Sequence, residues 1–330
     1  MARIAGGDFR YRFAEHRGTL LAAAVFLAMF AIYGANHNAG FSTLVVTTAA
    51  NKGVLLALVA MAQTLVVLTA GIDLSVGMIF VLANCLASQF VVGDALETGF
   101  GILIVLGAGL LCGALNGLIV IYGRLQPIVT TLATGAIFYG LALLLRPVPG
   151  GEINYDLADA LTGDVFGVPA SLLMLLGIVL VIWVPLRRSV TGRAIYAVGS
   201  AEAAAYMSGV AINRARFTAY LLSGLLAACG GLMLTFVTYS GEASAMIGGS
   251  YTLNAIAAVV IGGVSLYGGA GSAIGAIFGA LVLRTIGDLL FVFDFDPLWQ
   301  PLFQGVILLS AVTLGSLRLL RVRNRLDLFG

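Results

Sequence analysis

Long apolar stretches follow one another along this chain, separated by short polar or glycine-rich links. A run of roughly 20 apolar residues crosses the hydrocarbon core of a bilayer. The runs near Thr19–Gly34, Gly53–Ala70, Leu74–Val92, Gly99–Tyr122, Pro127–Leu145, Phe166–Leu186, Phe217–Tyr239, Tyr251–Leu266, Ala270–Leu290 and Leu298–Leu317 lead us to expect roughly ten spans. The fold class expected is therefore all-α, an integral membrane bundle with Gly-rich packing, in which some helices are broken or re-entrant. Only 10% of the 330 residues are charged, against about 25% in an average soluble domain. A water-facing surface cannot be built from that stock.

The charges test the span count independently. With the N-terminus cytoplasmic and sides alternating, one face receives Arg3, Arg10, Arg12, Arg17, Arg124, Arg187, Arg188, Arg193, Arg214, Arg216, Arg318, Arg321, Arg323 and Arg325, fourteen of the 17 basic residues. Only Lys52, Arg146 and Arg284 fall elsewhere. The opposite face receives Asp94, Glu97, Glu152, Asp156, Asp159, Asp164, Glu242, Asp288, Asp294 and Asp296. Basic residues retained inside are what orientation during insertion demands. The expected organisation is a cytoplasmic segment over 1–18, a permease domain over 19–320 containing a cytoplasmic loop over 187–216, and a cytoplasmic tail over 321–330. The first apolar run lacks a small-residue cleavage site close behind it, so it reads as a retained start-transfer helix.

Glycines recur every fourth residue at Gly109, Gly113 and Gly117, and again at Gly271, Gly275 and Gly279. That spacing lets helix backbones approach closely in lipid; a path lined by backbone is the sharper alternative. A weak internal repeat relates Val66-Val67 and Gly71–Gly77 to Val259-Val260 and Gly263–Gly269. Transporters are often built from such repeats, with interrupted segments near the substrate path.

Soluble-enzyme constellations are absent from the sequence. His16 and His37 fall on opposite sides of the first expected span, which disfavours a histidine base or metal site. No G-x-x-x-x-G-K-[ST] loop occurs, and the sole lysine, Lys52, sits in Ala50-Asn51-Lys52-Gly53. An ATP-driven step would need a partner subunit to bind ATP and magnesium. Cys85, Cys112 and Cys229 fall in apolar runs and read as small packing residues. A net charge of +2 gives no reason to expect nucleic acid.

The loop from Arg187 to Arg216 is the informative one. Ser200 can cap a short helix, Glu202 sits in its first turn, and Gly209 can end it after Tyr206, Met207 and Ser208. So short a helix is marginal alone, and docking against this protein's own membrane face or another subunit would stabilise it. Buried polar residues that can face a cavity are Gln63, Asn84, Asn116, Tyr251 and Asn254. Asp73, at a junction of two spans, is a functional candidate as an ionisable residue at membrane depth. Arg284 can pair with Asp288 one turn away. The segment Arg146–Phe166 reads as an irregular acidic surface, either simply solvated or a docking face.

Several of these segments together resemble a known family. Gly199, Ala204, Ser208, Gly209 and Val210 match the pattern G-x-N-x-x-A-A-x-x-S-G-[IV] of the ribose-type sugar permeases of bacterial ATP-binding cassette importers, with Ala201 in place of the usual Asn. Gly71–Gly77, Gln126–Ala133 and Leu253–Gly279 are similar to that family in the same order. The resemblance implies an inner-membrane permease working as a dimer, homomeric or with a paralogue, with ATPase subunits below and a periplasmic binding protein above. It also implies that Ser200, Glu202, Tyr206, Ser208 and Gly209 form the ATPase-coupling segment. The substrate then expected is a small neutral solute, a monosaccharide first. A self-contained secondary transporter or channel is the rival; it would want more buried carboxylates than Asp73 alone.

Overall fold

The computed structural model describes residues 2–307, 309, 310 and 313, and over 2–16 and at 297 it describes the backbone alone. The arginines expected at 318–325, the tail 321–330 and the end of the last span lie outside the described residues, as do the side chains of Arg3, Arg10 and Arg12.

Among the described residues, seven helices are long and apolar enough to cross a membrane, and two more apolar helices are shorter. In chain order the elements that build the bundle are α1 (Ala2–Asn36), α2 (Thr43–Val67), α3 (Val76–Phe90), α4 (Ala95–Ile121) and α5 (Pro127–Leu145). A small outer unit comes next, α6 (Tyr155–Thr162) and the hairpin β1 (Asp164–Val165) and β2 (Val168–Pro169). The span after it is composite: α7 (Ala170–Ile178), a π-helical turn at Val179–Trp183, then α8 (Val184–Arg188). Pro185 supplies no N–H to the preceding turn, and the helix adjusts there by taking a wider turn. Then come α9 (Val190–Ser200), α10 (Glu202–Met207), α11 (Ile212–Thr238), α12 (Ala245–Ile261) and α13 (Ala273–Val292).

Nine of the ten expected spans thus correspond to described helices, and the tenth begins in the helical residues from Gln300. The two shorter helices, α3 and α12, have 15 and 17 residues. At 1.5 Å per residue, α3 is only about 22 Å long, less than the roughly 30 Å hydrocarbon core. A helix of that length cannot reach both membrane surfaces.

The core sits around α11, which packs against α2, α3 and α4. From Gly53 to Val67 every residue of α2 is buried. Between α4 and α11 glycine permits the contact: a Cβ at Gly109 would lie 2.6 Å from the Gly224 carbonyl oxygen, and one at Gly113 would collide with the Tyr220 carbonyl. The second stripe is partly different from expectation. Gly275 and Gly279 face Gly262 and Ala258 of α12, but Gly271 lies before α13, in the link, at φ +121 against Val264.

The segment after α5 is ordered rather than irregular. Arg146 donates to the Ser88 carbonyl (2.8 Å) and the Gln89 side chain (3.0 Å). Gly150 and Gly241 exchange backbone bonds of 3.0 and 2.8 Å. Asn154 caps α6 through Leu157 N–H (2.9 Å) while its amide donates to the Gly93 carbonyl (3.0 Å). Asn51 of α2 donates to the Thr162 carbonyl (2.7 Å), and Tyr239 stacks on Tyr155 and donates to Asp159 (2.5 Å). That last bond raises the Tyr239 phenol above its ordinary pKa. These bonds strap residues 146–165 across the end of the bundle that carries the acids.

Candidate functional site

The opposite end gathers three loops. After α2, Gly71 N–H bonds to the Val66 carbonyl (3.2 Å) and Ala70 N–H to Val67 (2.9 Å), with Ala70 at φ +62. After α12, Val264 N–H bonds to Val259 (3.1 Å) and Gly263 N–H to Val260 (3.0 Å), with Gly263 at φ +79. Both are the same paired C-terminal cap with a left-handed residue. The repeat in the sequence therefore corresponds to one local structure, shifted by a residue: Gly263 matches Ala70, not Gly71. The two links also touch, through Gly269 N–H to the Leu68 carbonyl (3.0 Å).

The third loop is wedged against that contact. A Cβ on Gly199 would collide with the Leu68 carbonyl and lie 2.5 Å from the Gly269 nitrogen. Only glycine fits. One turn earlier, the Tyr196 hydroxyl donates to the Gly271 carbonyl (2.7 Å). So α9 is seated on both links by its last two turns.

Ser200 is the last residue of α9 rather than the cap of α10; its hydroxyl donates back to Tyr196 (2.9 Å). Helix α10 is correspondingly shorter than expected, Glu202–Met207, with Ala201 at its N-cap and no side-chain cap bond. Ser208 comes directly after it and Gly209, at φ +74, ends it as expected, with Val210 N–H bonded to the Ala205 carbonyl (3.0 Å). Ala205 is buried beneath the helix while Tyr206 is 75% and Met207 86% exposed. Glu202 turns the other way, forming a bidentate pair with Arg216 in the second turn of α11 (2.9 and 2.7 Å). A cleft of about 520 Å³ lined by Tyr122, Glu202, Tyr206 and Asn213 flanks the pair. A smaller one of about 270 Å³ lies beside it, reaching Gly71, Arg124, Arg216 and Tyr220.

Behind the smaller cleft lies a buried polar network. Asp73, wholly buried, accepts from Ser75 N–H (2.8 Å) and Ser75 hydroxyl (2.6 Å), and its Oδ2 has no partner. With its amide turned so that both groups are satisfied, Gln63 brackets the Asp73 backbone, donating to its carbonyl (2.9 Å) and accepting from its N–H (3.3 Å). Asn116 donates to Ser75 (2.7 Å) and accepts from Thr134 (2.6 Å), and Thr131 accepts from Leu74 N–H (2.9 Å). The Tyr220 hydroxyl, buried and unpartnered, faces Gly71. Asp73 is thereby the knot tying the α2–α3 link to α2, α4 and α5.

The six path candidates divide. Gln63, Asp73, Asn84 and Asn116 are buried in helix-to-helix bonds; Asn84 donates to Thr235 (2.8 Å) and the Ser240 carbonyl (3.0 Å) and accepts from Glu242 N–H (2.8 Å). Tyr251 is half-buried and stacked on Phe80 at 4.4 Å, and Asn254 is half-buried without a side-chain hydrogen bond among the described residues. Ser75, Thr131, Thr134 and Tyr220 were not singled out in sequence, and Arg216 was read only as a cytoplasmic basic residue at the loop's end. Three of them had a signal: Ser75 lies in the Gly71–Gly77 motif, and Thr131 is in the stretch Gln126–Ala133, one turn before Thr134.

Nine apolar helices among the described residues, interrupted links at their ends and a protruding short helix define a multi-pass membrane permease. Residues 45–312 match the family described as branched-chain amino acid transport system, permease component, and the chain belongs to it. It is 36% identical to the ribose import permease protein RbsC of Bacillus subtilis over 260 residues, 78% of this chain and 80% of that protein. It is also 36% identical to the autoinducer 2 import system permease protein LsrC of an Enterobacter species over 318 residues, 92% of this chain and 89% of that one. The fructose import permease protein FrcC of Rhizobium meliloti is 33% identical over 295 residues, 84% of this chain and 79% of that protein. No solved structure matches.

Proposed function

We propose that this chain is the membrane-spanning subunit of an ATP-driven importer, and that α10 is where ATPase subunits push on it. The observation that carries this reading is the placement of α10: its outer face, Tyr206 and Met207, has none of the described residues over it, while α9 behind it is seated on two interrupted links. ATP and magnesium are held by the partner ATPases and not by this chain. A displacement of α10 passes through Gly199 to the α2–α3 link and its Asp73 network, and through the Glu202–Arg216 pair to α11.

The solute is a small neutral polyhydroxy compound, a monosaccharide first, delivered by a periplasmic binding protein to a dimer of permease subunits, either two copies or a pair with a paralogue. Relatives named for ribose, fructose and autoinducer 2 support the class. So does the absence of a buried basic clamp facing the network among the described residues. The chain sits in the inner membrane with both termini and α9–α10 cytoplasmic and the 146–165 strap outside. For Asp73, complete burial with one oxygen bonded to Ser75 favours a structural role over ion coupling, and with it the importer over a self-contained carrier.

The test is uptake of labelled ribose or fructose into proteoliposomes holding this chain with its ATPase and binding protein. Uptake should require ATP, and Tyr206→Asp with Met207→Asp should reduce it at least tenfold without altering thermal stability. Undiminished uptake by that variant, or uptake without ATP, overturns the reading. Orientation is checked with single cysteines in a cysteine-free background at Ala160, which is exposed where neighbouring Ala158 is buried, and at Ser208. An impermeant reagent should reach only Ala160→Cys in intact cells.

A further inference from the structure

Far from the coupling end, the beginning of α2 and the end of α13 carry charges that the transport reading leaves unused. The exposed stripe of α2 runs from Leu44 and Thr48 to half-buried Lys52, and that of α13 runs through half-buried Leu281 and Arg284 to exposed Phe291. The helices touch between them: a Cβ on Gly53 would lie 2.7 Å from Leu281 Cδ2. On the other flank Phe26 of α1 packs on Phe278 of α13, with ring centroids 6.3 Å apart. Helix α13 thus lies between α1 and α2, which both pack on it, and Lys52 and Arg284 sit half-buried on that face.

Two cations share one carboxylate there. Arg284 pairs loosely with Asp288 at 3.9 Å, and its Nε is buried without a partner. Lys52 makes no hydrogen bond or ion pair among the described residues, although the Asp288 carboxylate lies within electrostatic reach of both cations. Asp294 and Asp296, exposed beyond the helix end, form no ion pair with either. Among the described residues one positive charge is therefore uncompensated, and an unpaired charge within the bilayer is costly.

Depth narrows what can neutralise it. Lys52 lies nine residues into α2 and Arg284 eight residues before the end of α13, about 14 and 12 Å from the respective helix ends. Long stems carry such head groups towards the interface. With 25 residues, α2 is about 37 Å long, more than the hydrocarbon core, so its first turns reach the headgroup layer. We propose that the face of α13 between α1 and α2 binds the phosphodiester of a phospholipid, held by Lys52 and Arg284. One phosphodiester carries the single negative charge needed, and its oxygens accept the charge-assisted hydrogen bonds that Lys52 and Arg284 Nε lack. The Tyr33 hydroxyl of α1, within electrostatic reach of Arg284 and Asp288, supplies a neutral donor.

The same chemistry is available from free phosphate in water, so the test separates the two sources. Full-length protein in detergent is titrated with phosphatidylglycerol, and bound lipid is counted by native mass spectrometry with and without millimolar inorganic phosphate. Lys52→Gln should lower lipid affinity roughly fivefold, as expected for one basic residue near an anionic lipid, and Lys52→Arg should retain it. The pair Arg284→Gln with Asp288→Asn, which leaves no buried carboxylate behind, should also lower it. Unchanged binding by Lys52→Gln and by the Arg284/Asp288 pair overturns the proposal. Displacement of the lipid by inorganic phosphate overturns it in favour of a free-anion site.

Discussion

The two ends of the bundle are built differently although the same helices run through both. At the acidic end, residues 146–165 are strapped to α2, α3 and α11 by bonds from Arg146, Gly150, Asn154, Thr162 and Asp159. At the basic end, α10 is held by its neighbours in sequence, one buried alanine and one ion pair to Arg216. The contrast separates rigidity from transmission. Many short bonds spread over three helices fix a surface in place. A short helix with few anchors can be moved by a partner, and what moves with it is set by which anchors it has. Here the anchors are Gly199 on the two links and Glu202 on α11.

That contrast can be broken most severely at Gly199. Gly199→Val places a side chain against the backbone of Leu68 and Gly269, neither of which can rotate away. We expect a loss of about 1–3 kcal/mol in stability and transport reduced to background, measured by thermal unfolding in detergent and by reconstituted uptake. Wild-type melting of this variant would mean that α9 is not seated as described.

The ion pair gives a sharper division. Glu202→Lys places two cations together and should uncouple ATP hydrolysis from uptake about tenfold while the protein stays folded. The reciprocal exchange, Glu202→Arg with Arg216→Glu, should recover most of the lost uptake if Glu202 acts by holding α10 to α11. If Glu202 instead touches an ATPase directly, the exchange restores nothing. Since both side chains are partly exposed, the pair contributes little to stability by itself, so melting temperature should barely change in either variant.

At the strapped end the expected effect is smaller and of the opposite kind. Tyr239→Phe removes the bond to Asp159 and keeps the stacking on Tyr155, which should cost about 1 kcal/mol or less. Uptake per folded molecule should stay unchanged. A fall in uptake without a fall in stability would make this end a moving part as well, and the contrast would fail.

The smallest effect is expected at Ala201, where α10 lacks a cap. Ala201→Asn restores the residue usual in the resembling pattern at a backbone position that is extended, φ −161 and ψ 93. An N-cap of this kind stabilises a helix by about 1 kcal/mol. Hydrogen exchange over 202–207 should slow, with no change in the acidic strap.

The sequence by itself determined the class of fold, the positions of the spans within a few residues, and the sorting of charges to two ends. These come from how many apolar residues hydrocarbon requires and from how few charges it tolerates, both local properties of the chain. It also marked α10, because Gly209 and the alanines write a short helix without reference to anything else. Only the tertiary structure decided what each polar residue does. Asn84 and Asn116 look alike in sequence to Asn254, yet the first two bond across helices and the third does not. Glu202 reads as a first-turn acid of the short helix, with no partner indicated, until α11 places Arg216 opposite it, fourteen residues away. Ser200 reads as a cap until Gly199 is wedged between Leu68 and Gly269 and α9 runs on through it. Hydrophobic periodicity reports which solvent a residue meets, whereas hydrogen-bond partners depend on which helix the fold brings alongside. That second fact is not local, and no window of sequence contains it.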